Sequence, residues 1–183
     1  GTNKVVLANK NNYSDVLTAA PFAKANNASL LYISSNSISK EVMSEIARLK
    51  AKEITIIGGE KSVNEGLKKE LEKRNFKVER LSGADRYKTS AQIAAKLIGD
   101  KTTTLEIASG ENYADALSLN NAAEKDKAPI LLVRVNAIDK SVEDVIKSSK
   151  ASLINIVGGE KSVSENTKAN IKKISKATIN RIG

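Results

Sequence analysis

Arg80-Leu81-Ser82-Gly83-Ala84-Asp85-Arg86-Tyr87-Lys88-Thr89-Ser90, running on through Ala95, occurs once near the middle of the chain, and a similar unit lies on either side of it. The first unit carries Asn12-Tyr13-Ser14-Asp15-Val16-Leu17 and later Gly58-Gly59-Glu60-Lys61-Ser62-Val63. The second carries Asn112-Tyr113-Ala114-Asp115-Ala116-Leu117 and Gly158-Gly159-Glu160-Lys161-Ser162-Val163, each one hundred positions further on. An internal repeat decides the architecture before any local reading does. Arg181-Ile182 echoes Arg80-Leu81, so the sequence reads as part of a tandem array in phase with its repeat.

Outward from the central stretch, short β-branched runs alternate with helical patterns. Val5–Ala8, Leu30–Ile33, Ile54–Ile57 and Val78–Leu81 read as strands, and so do Leu105–Ala108, Pro129–Val133, Leu153–Val157 and Thr178–Arg181. Helices are expected from Asn12 to about Asn26, with a kink at Pro21, and over Ser39–Lys50 and Arg86–Ile98. Others are expected from Ser62, from Asn112 to about Lys125, over Asp139–Ser149, and from Ser162 to near Ile174. The spacing predicts an α/β fold: tandem three-layer modules with mostly parallel sheets and helices on both faces. The first repeat spans 1–80, lacking its N-terminal part, and the second 81–183. No Pro/Gly/Ser-rich linker separates them, so they should pack closely.

Composition narrows the chemistry. The 183 residues contain no cysteine and no histidine. Disulfides, zinc–thiolate centres, cysteine nucleophiles, Ser-His-Asp catalysis and the common histidine metal sites are thereby removed. Aliphatic residues supply most of the 40% apolar content, which suits a packed α/β core. No apolar run approaches the length of a membrane span. The net charge of +9 favours an anionic partner such as nucleic acid, an anionic membrane or a wall polymer; plain solubility accounts for it equally.

Each motif carries two readings. The Gly-Gly-Glu-Lys-Ser turn, between strand and helix, is a phosphate cradle or a tight turn followed by a capping box, Ser62-Val63-Asn64-Glu65 and Ser162-Val163-Ser164-Glu165. Asn12, Tyr13 and Asp15, like Asn112, Tyr113 and Asp115, can hydrogen-bond sugar hydroxyls or cap a helix. Asp85-Arg86-Tyr87 offers an anion or sugar contact through Arg86, or a structural Asp–Arg pair between repeats. Glycoside hydrolysis needs two acids facing across a cleft, and the repeated acids fit helix starts better. No activated nucleophile or base is evident, so the chain is read as non-catalytic. In a parallel sheet the loops leaving strand C-termini gather at one edge. Asn12, Lys61, Arg86, Asn112, Arg134 and Lys161 all belong there.

Taken together, Ile57-Gly58-Gly59, Arg80 through Ser90, Ala108 through Leu117 and Ala128-Pro129-Ile130-Leu131-Leu132 resemble the clostridial cell-wall-binding repeat, type 2, over essentially the whole chain. The resemblance implies a secreted Gram-positive surface protein, S-layer precursors included, anchored non-covalently to an anionic secondary wall polysaccharide. It implies repeats in a pseudo-threefold ring, completed by a neighbouring repeat of the same or another chain. Nucleic acid, membrane insertion and cofactors are not expected. The ligand-binding residues expected are Arg86, Tyr87, Asn112, Tyr113, Asp115, Arg134 and Arg181, read from the motifs and the basic edge, with Ile130, Leu131 and Leu132, where the resemblance puts the family's Ile-Leu-Leu anchoring stretch. The Ile-Leu-Leu stretch transfers to the second copy and poorly to the first, which has Ser29-Leu30-Leu31-Tyr32; Asn9-Lys10-Asn11 likewise replaces Ser109-Gly110-Glu111. The alternatives are a structural spacer or assembly module and an enzyme acting on a phosphorylated glycan.

Overall fold

In the computed structural model, which describes residues 3–116 and 128–183, the β-branched runs become strands. The first four are β1 (Lys4–Asn9), β2 (Ser29–Ile33), β3 (Glu53–Ile57) and β4 (Lys77–Leu81). They pair in the order β2-β1-β3-β4, all parallel. A second sheet repeats this with β5 (Thr104–Ser109), β6 (Ile130–Val133), β7 (Leu153–Val157) and β8 (Thr178–Ile182), in the order β6-β5-β7-β8. The register is also shared: Leu7 lies opposite Leu31 and Ile56, and Ile107 opposite Leu131 and Ile156.

Among the described residues the helices are α1 (Tyr13–Ala25), α2 (Lys40–Arg48), α3 (Glu65–Lys73), α4 (Arg86–Leu97), α5 (Tyr113–Ala116), α6 (Lys140–Ser148) and α7 (Glu165–Ile174). On one face of the first sheet, Ile46 of α2 and Leu67 and Leu71 of α3 pack on Leu7, Ile54 and Ile56. On the other, Ala19, Phe22 and Ala23 of α1 and Ile93 of α4 pack on Val6, Ala8, Ile57 and Leu81. In the second unit, Val142 and Ile146 of α6 and Ile171 of α7 cover Leu105, Ile107, Ile154 and Ile156. The expected three-layer α/β architecture is present, with sheets wholly parallel.

Helix α4 serves both units. Ile93 faces the first core, while Tyr87, Ala91 and Ala94, at i, i+4 and i+7, lie in the second core with Ile130–Val133. Edge strand β6 is docked on it: the Leu132 amide donates to Ser90 Oγ at 3.0 Å, and that hydroxyl donates to the Tyr87 carbonyl at 2.8 Å. Both residues are fully buried. Ser90→Ala strands a buried amide, so we expect a loss of about 1–3 kcal/mol. A thermal melt unchanged from the parent would show that the Leu132 amide has another acceptor.

The helix expected around Pro21 is present, with Pro21 inside α1. Three local expectations are corrected. The third helix begins at Glu65, capped by Asn64, whose Oδ1 accepts from the Gly66 amide at 2.6 Å, so Ser62 is no cap. Its counterpart begins at Glu165, where Ser164 Oγ accepts from Thr167 N at 3.2 Å, and Ser162 is likewise no cap. Asn12 sits at the N-cap of α1 but makes no capping bond with its side chain. The expected helix from Asn112 is described as far as Ala116; its continuation to Lys125 lies outside the described residues.

Candidate functional site

In each sheet the strand order reverses direction between the first and third strands of the unit, and that is where an open parallel sheet leaves a crevice. The loops after β1 and β3 meet there, and so do the two repeated motifs. The Ser62 hydroxyl donates to Asp15 Oδ2 at 2.5 Å, and Asn12 Nδ2 reaches Ser62 Oγ at 3.3 Å. Asn9 Nδ2 donates to the Ser62 carbonyl at 2.7 Å and ties the same loop to β1. In the second unit Ser162 donates to Asp115 Oδ2, and Asn112 Nδ2 to Ser162 Oγ at 2.9 Å. The serine that local spacing assigns to a cap is instead a clamp between loops.

Gly58 makes the clamp possible. Its φ is +106°, and a Cβ there would overlap Asp15 Oδ2 and fall 2.9 Å from Asp15 Cγ. Asp15 is only 4% exposed, and burial lifts its carboxyl from the ordinary 3.8 to about 6. The Ser62 hydrogen bond and the Arg86 charge pull the other way and lose to desolvation.

Beside the clamp lies a cleft of about 530 Å³ between the starts of α1 and α4 and the Gly59–Ser62 loop. Asp85 lines it and caps α4, accepting from the Lys88 amide at 2.8 Å. Asp85 and Arg86 form no ion pair among the described residues, which corrects the expected Asp–Arg pair. Arg86 turns across the junction between the units. Its guanidinium donates to the Gly110 carbonyl and, at 3.2 Å, to Tyr13 Oη, which itself donates to that carbonyl at 2.6 Å. Arg86 lies 5.6 Å from the Tyr13 ring centroid, and Arg134 lies 4.2 Å from that of Tyr87. Both arginines are exposed at one rim. Gly110 leaves room for this: a Cβ there would fall 2.6 Å from Tyr87 Cε1. Lys10 occupies the equivalent place in the first unit and points to solvent.

The remaining sequence-picked residues fall elsewhere. Tyr87 is buried under Arg134. Ile130, Leu131 and Leu132 are 2%, 0% and 0% exposed in β6, so they offer a surface ligand no side chain and act through packing. Arg181 donates to the Gly158 and Val163 carbonyls at 2.7 and 2.8 Å and to Glu165 at 2.9 Å; Arg80 makes the matching bonds to Gly58 O and Glu65 in the first unit. Both arginines brace the glycine turn. Asn112 and Asp115 sit in the second clamp, and the Tyr113 side chain lies outside the described part. The role of Gly110 as acceptor for Arg86 and Tyr13, and of the two serines as clamps, is not visible within any single motif. The signal for the clamp was present in the sequence, since Asp15/Ser62 and Asp115/Ser162 share one spacing.

The family model for cell wall binding domain 2 (CWB2) matches residues 2–68 and 80–168. The chain belongs to the CWB2 family. It is similar to the N-acetylmuramoyl-L-alanine amidase LytC of Bacillus subtilis, at 33% identity over 159 residues, covering 87% of this chain and 32% of that protein. It is also similar to the amidase enhancer of the same organism, at 32% identity over 180 residues, covering 98% of this chain and 24% of that one. The CWB2 chain thus spans about a third or less of these relatives. Among solved structures, Cwp8 from Clostridium difficile matches with a TM-score of 0.88 and 33% identity, over 98% of this chain and 30% of that one. Cwp6 from the same organism matches with a TM-score of 0.89 and 28% identity, over 100% and 29%. A CWB2 chain is a cell wall binding module, which places its partner among cell wall polymers and its location at the wall or surface.

Proposed function

We propose that this CWB2 chain is a non-catalytic anchor of a secreted protein and holds an anionic secondary wall polysaccharide at the junction of its two units. The observation that carries the reading is the pair of exposed arginines, Arg86 and Arg134, set on tyrosine rings at one rim. A guanidinium already oriented by an aromatic face loses little freedom on meeting an acidic sugar or a phosphate. Exposed Lys88 extends the same positive rim.

Retention on purified walls should therefore fall with salt and vanish when acid extraction removes the secondary polymer. Arg86→Ala with Arg134→Ala should weaken pelleting at low salt about tenfold or more and flatten the salt series. Undiminished binding to stripped walls would overturn the polymer reading.

A comparison between the units favours a further repeat as neighbour. Leu132 is sealed beneath α4, whereas its counterpart Tyr32 on edge strand β2 is 47% exposed. Leu81 is buried by Ile93, whereas its counterpart Ile182 is 47% exposed. Inside this chain the counterpart positions, Leu132 and Leu81, both lie under α4. A repeat of the same or another chain presenting such a helix fits them and would extend the arrangement toward a ring.

A further inference from the structure

The junction arginines account for attraction to a polyanion, but not for the cleft next to them. Six of the groups around it are Asn12, Asp15, Lys61, Ser62, Asp85 and Arg86. Their charges do not suit an anion. With Glu60 also on the lining, the three carboxylates of Asp15, Glu60 and Asp85 stand against Lys61 and Arg86. Arg86 is also partly committed to Gly110 and Tyr13. A phosphate or a uronate seated here would meet more negative than positive charge.

Asp15 supplies the decisive detail. It is more than nine-tenths buried, lines the cleft, and uses only Oδ2 for Ser62. Its Oδ1 accepts no hydrogen bond among the described residues. A carboxylate oxygen that lines a cleft with unused acceptor capacity takes a donor from a ligand. Around it Asn12 and the Lys61 ammonium offer donors, and the exposed Glu60 carboxylate offers further acceptors. Donors and acceptors interleaved at this density match adjacent hydroxyls, each of which gives and takes a hydrogen bond. The volume lies within the range of small-molecule sites.

We propose that this cleft binds one neutral, hydroxyl-rich saccharide unit of the wall polymer, with Asp15 accepting from sugar hydroxyls at its floor and Lys61 and Asn12 contacting them from the sides. The inference rests on the wall-polymer reading and divides the work. The arginine rim draws the charged chain in, and the cleft selects a sugar by its hydroxyl pattern. A neutral contact of this kind is insensitive to salt, unlike the rim.

The test is a titration of the isotope-labelled chain with N-acetylglucosamine, methyl glucoside, methyl galactoside and methyl mannoside at tens of millimolar. Galacturonate and methyl phosphate serve as charged comparators, each at low and high salt. We expect amide shifts confined to Asn12–Asp15, Gly59–Ser62 and Gly83–Arg86 for at least one neutral sugar, unchanged by salt. Asp15→Asn should weaken that sugar about tenfold. Lys61→Ala, at an exposed position where folding is not at stake, should weaken it severalfold, and Glu72→Gln should leave it unchanged. Absence of shifts with every neutral sugar would overturn the proposal, as would a salt-sensitive response to the charged compounds alone. Wall pelleting measured alongside keeps the two readings apart. Wall binding without sugar shifts removes the cleft and leaves the anchor; sugar shifts without wall binding do the reverse.

Discussion

Gly58→Ala is expected to destabilise the chain by about 3 kcal/mol or more, because it combines two independent costs. A φ of +106° is open to glycine and strained for alanine. The new methyl group would also land on Asp15 Oδ2, with Ser62 Cβ only 3.0 Å away. Neither partner can withdraw cheaply, since both are buried and bonded to each other. For a chain of this size the loss corresponds to a fall in Tm of roughly 6–12 °C. Gly59→Ala is the matched control, because a Cβ there meets nothing within 4 Å. Parallel thermal melts decide the matter: equal losses at the two positions would show that the clamp geometry is not what Gly58 protects.

The second large effect is a rise in stability on mild acidification. Asp15 has a folded pKa of about 6 against an ordinary 3.8, so the folded chain holds its proton more tightly than the unfolded one. The resulting stabilisation is full below the unfolded value and is lost as pH rises through 6. Between pH 7.5 and pH 5 it is on the order of 1 kcal/mol, or a few degrees in Tm. The carboxyls of Glu45, Glu143, Glu165 and Asp139, held below their usual range chiefly by hydrogen bonds from Arg48, Lys147, Arg181 and Ser141, act in the opposite sense. Their contribution fades only near and below pH 4.5, so it does not mask the rise. Asp15→Asn should remove it. Melting temperatures that stay flat or fall from pH 7.5 to 5 in the parent chain would contradict the burial of a charged Asp15.

Strands and helices were legible because they are local. Val5–Ala8 and Leu105–Ala108 show their strand character within a few residues, and the hundred-residue repeat supplied the tandem layout. The clamp was harder to read, because it joins Asp15 to a serine 47 positions away. Within Ser62-Val63-Asn64-Glu65 the local rule for helix starts offered a partner for Ser62, while Asn64 and Asp15 had the better geometry. Arg181 looked like a free cation because two of its three acceptors are the Gly158 and Val163 carbonyls, and backbone leaves no trace in a side-chain pattern; the third, Glu165, lies 16 residues away. Ile130 to Leu132 read as strand and as anchoring motif alike; burial under α4 separates the two.

Helix α4 has a consequence for how the molecule comes apart. In most tandem arrays stability divides into a term for each repeat and a term for each contact between finished surfaces. Here the contact is itself a helix missing from neither core: Ile93 belongs to one, and Tyr87, Ala91 and Ala94 to the other. Severing the chain before α4 would open Leu81 on one side, and losing α4 would unseat strand β6 on the other. The units are therefore expected to melt as one cooperative block, in a single calorimetric transition. A tension applied along the chain is expected to meet the resistance of both at once.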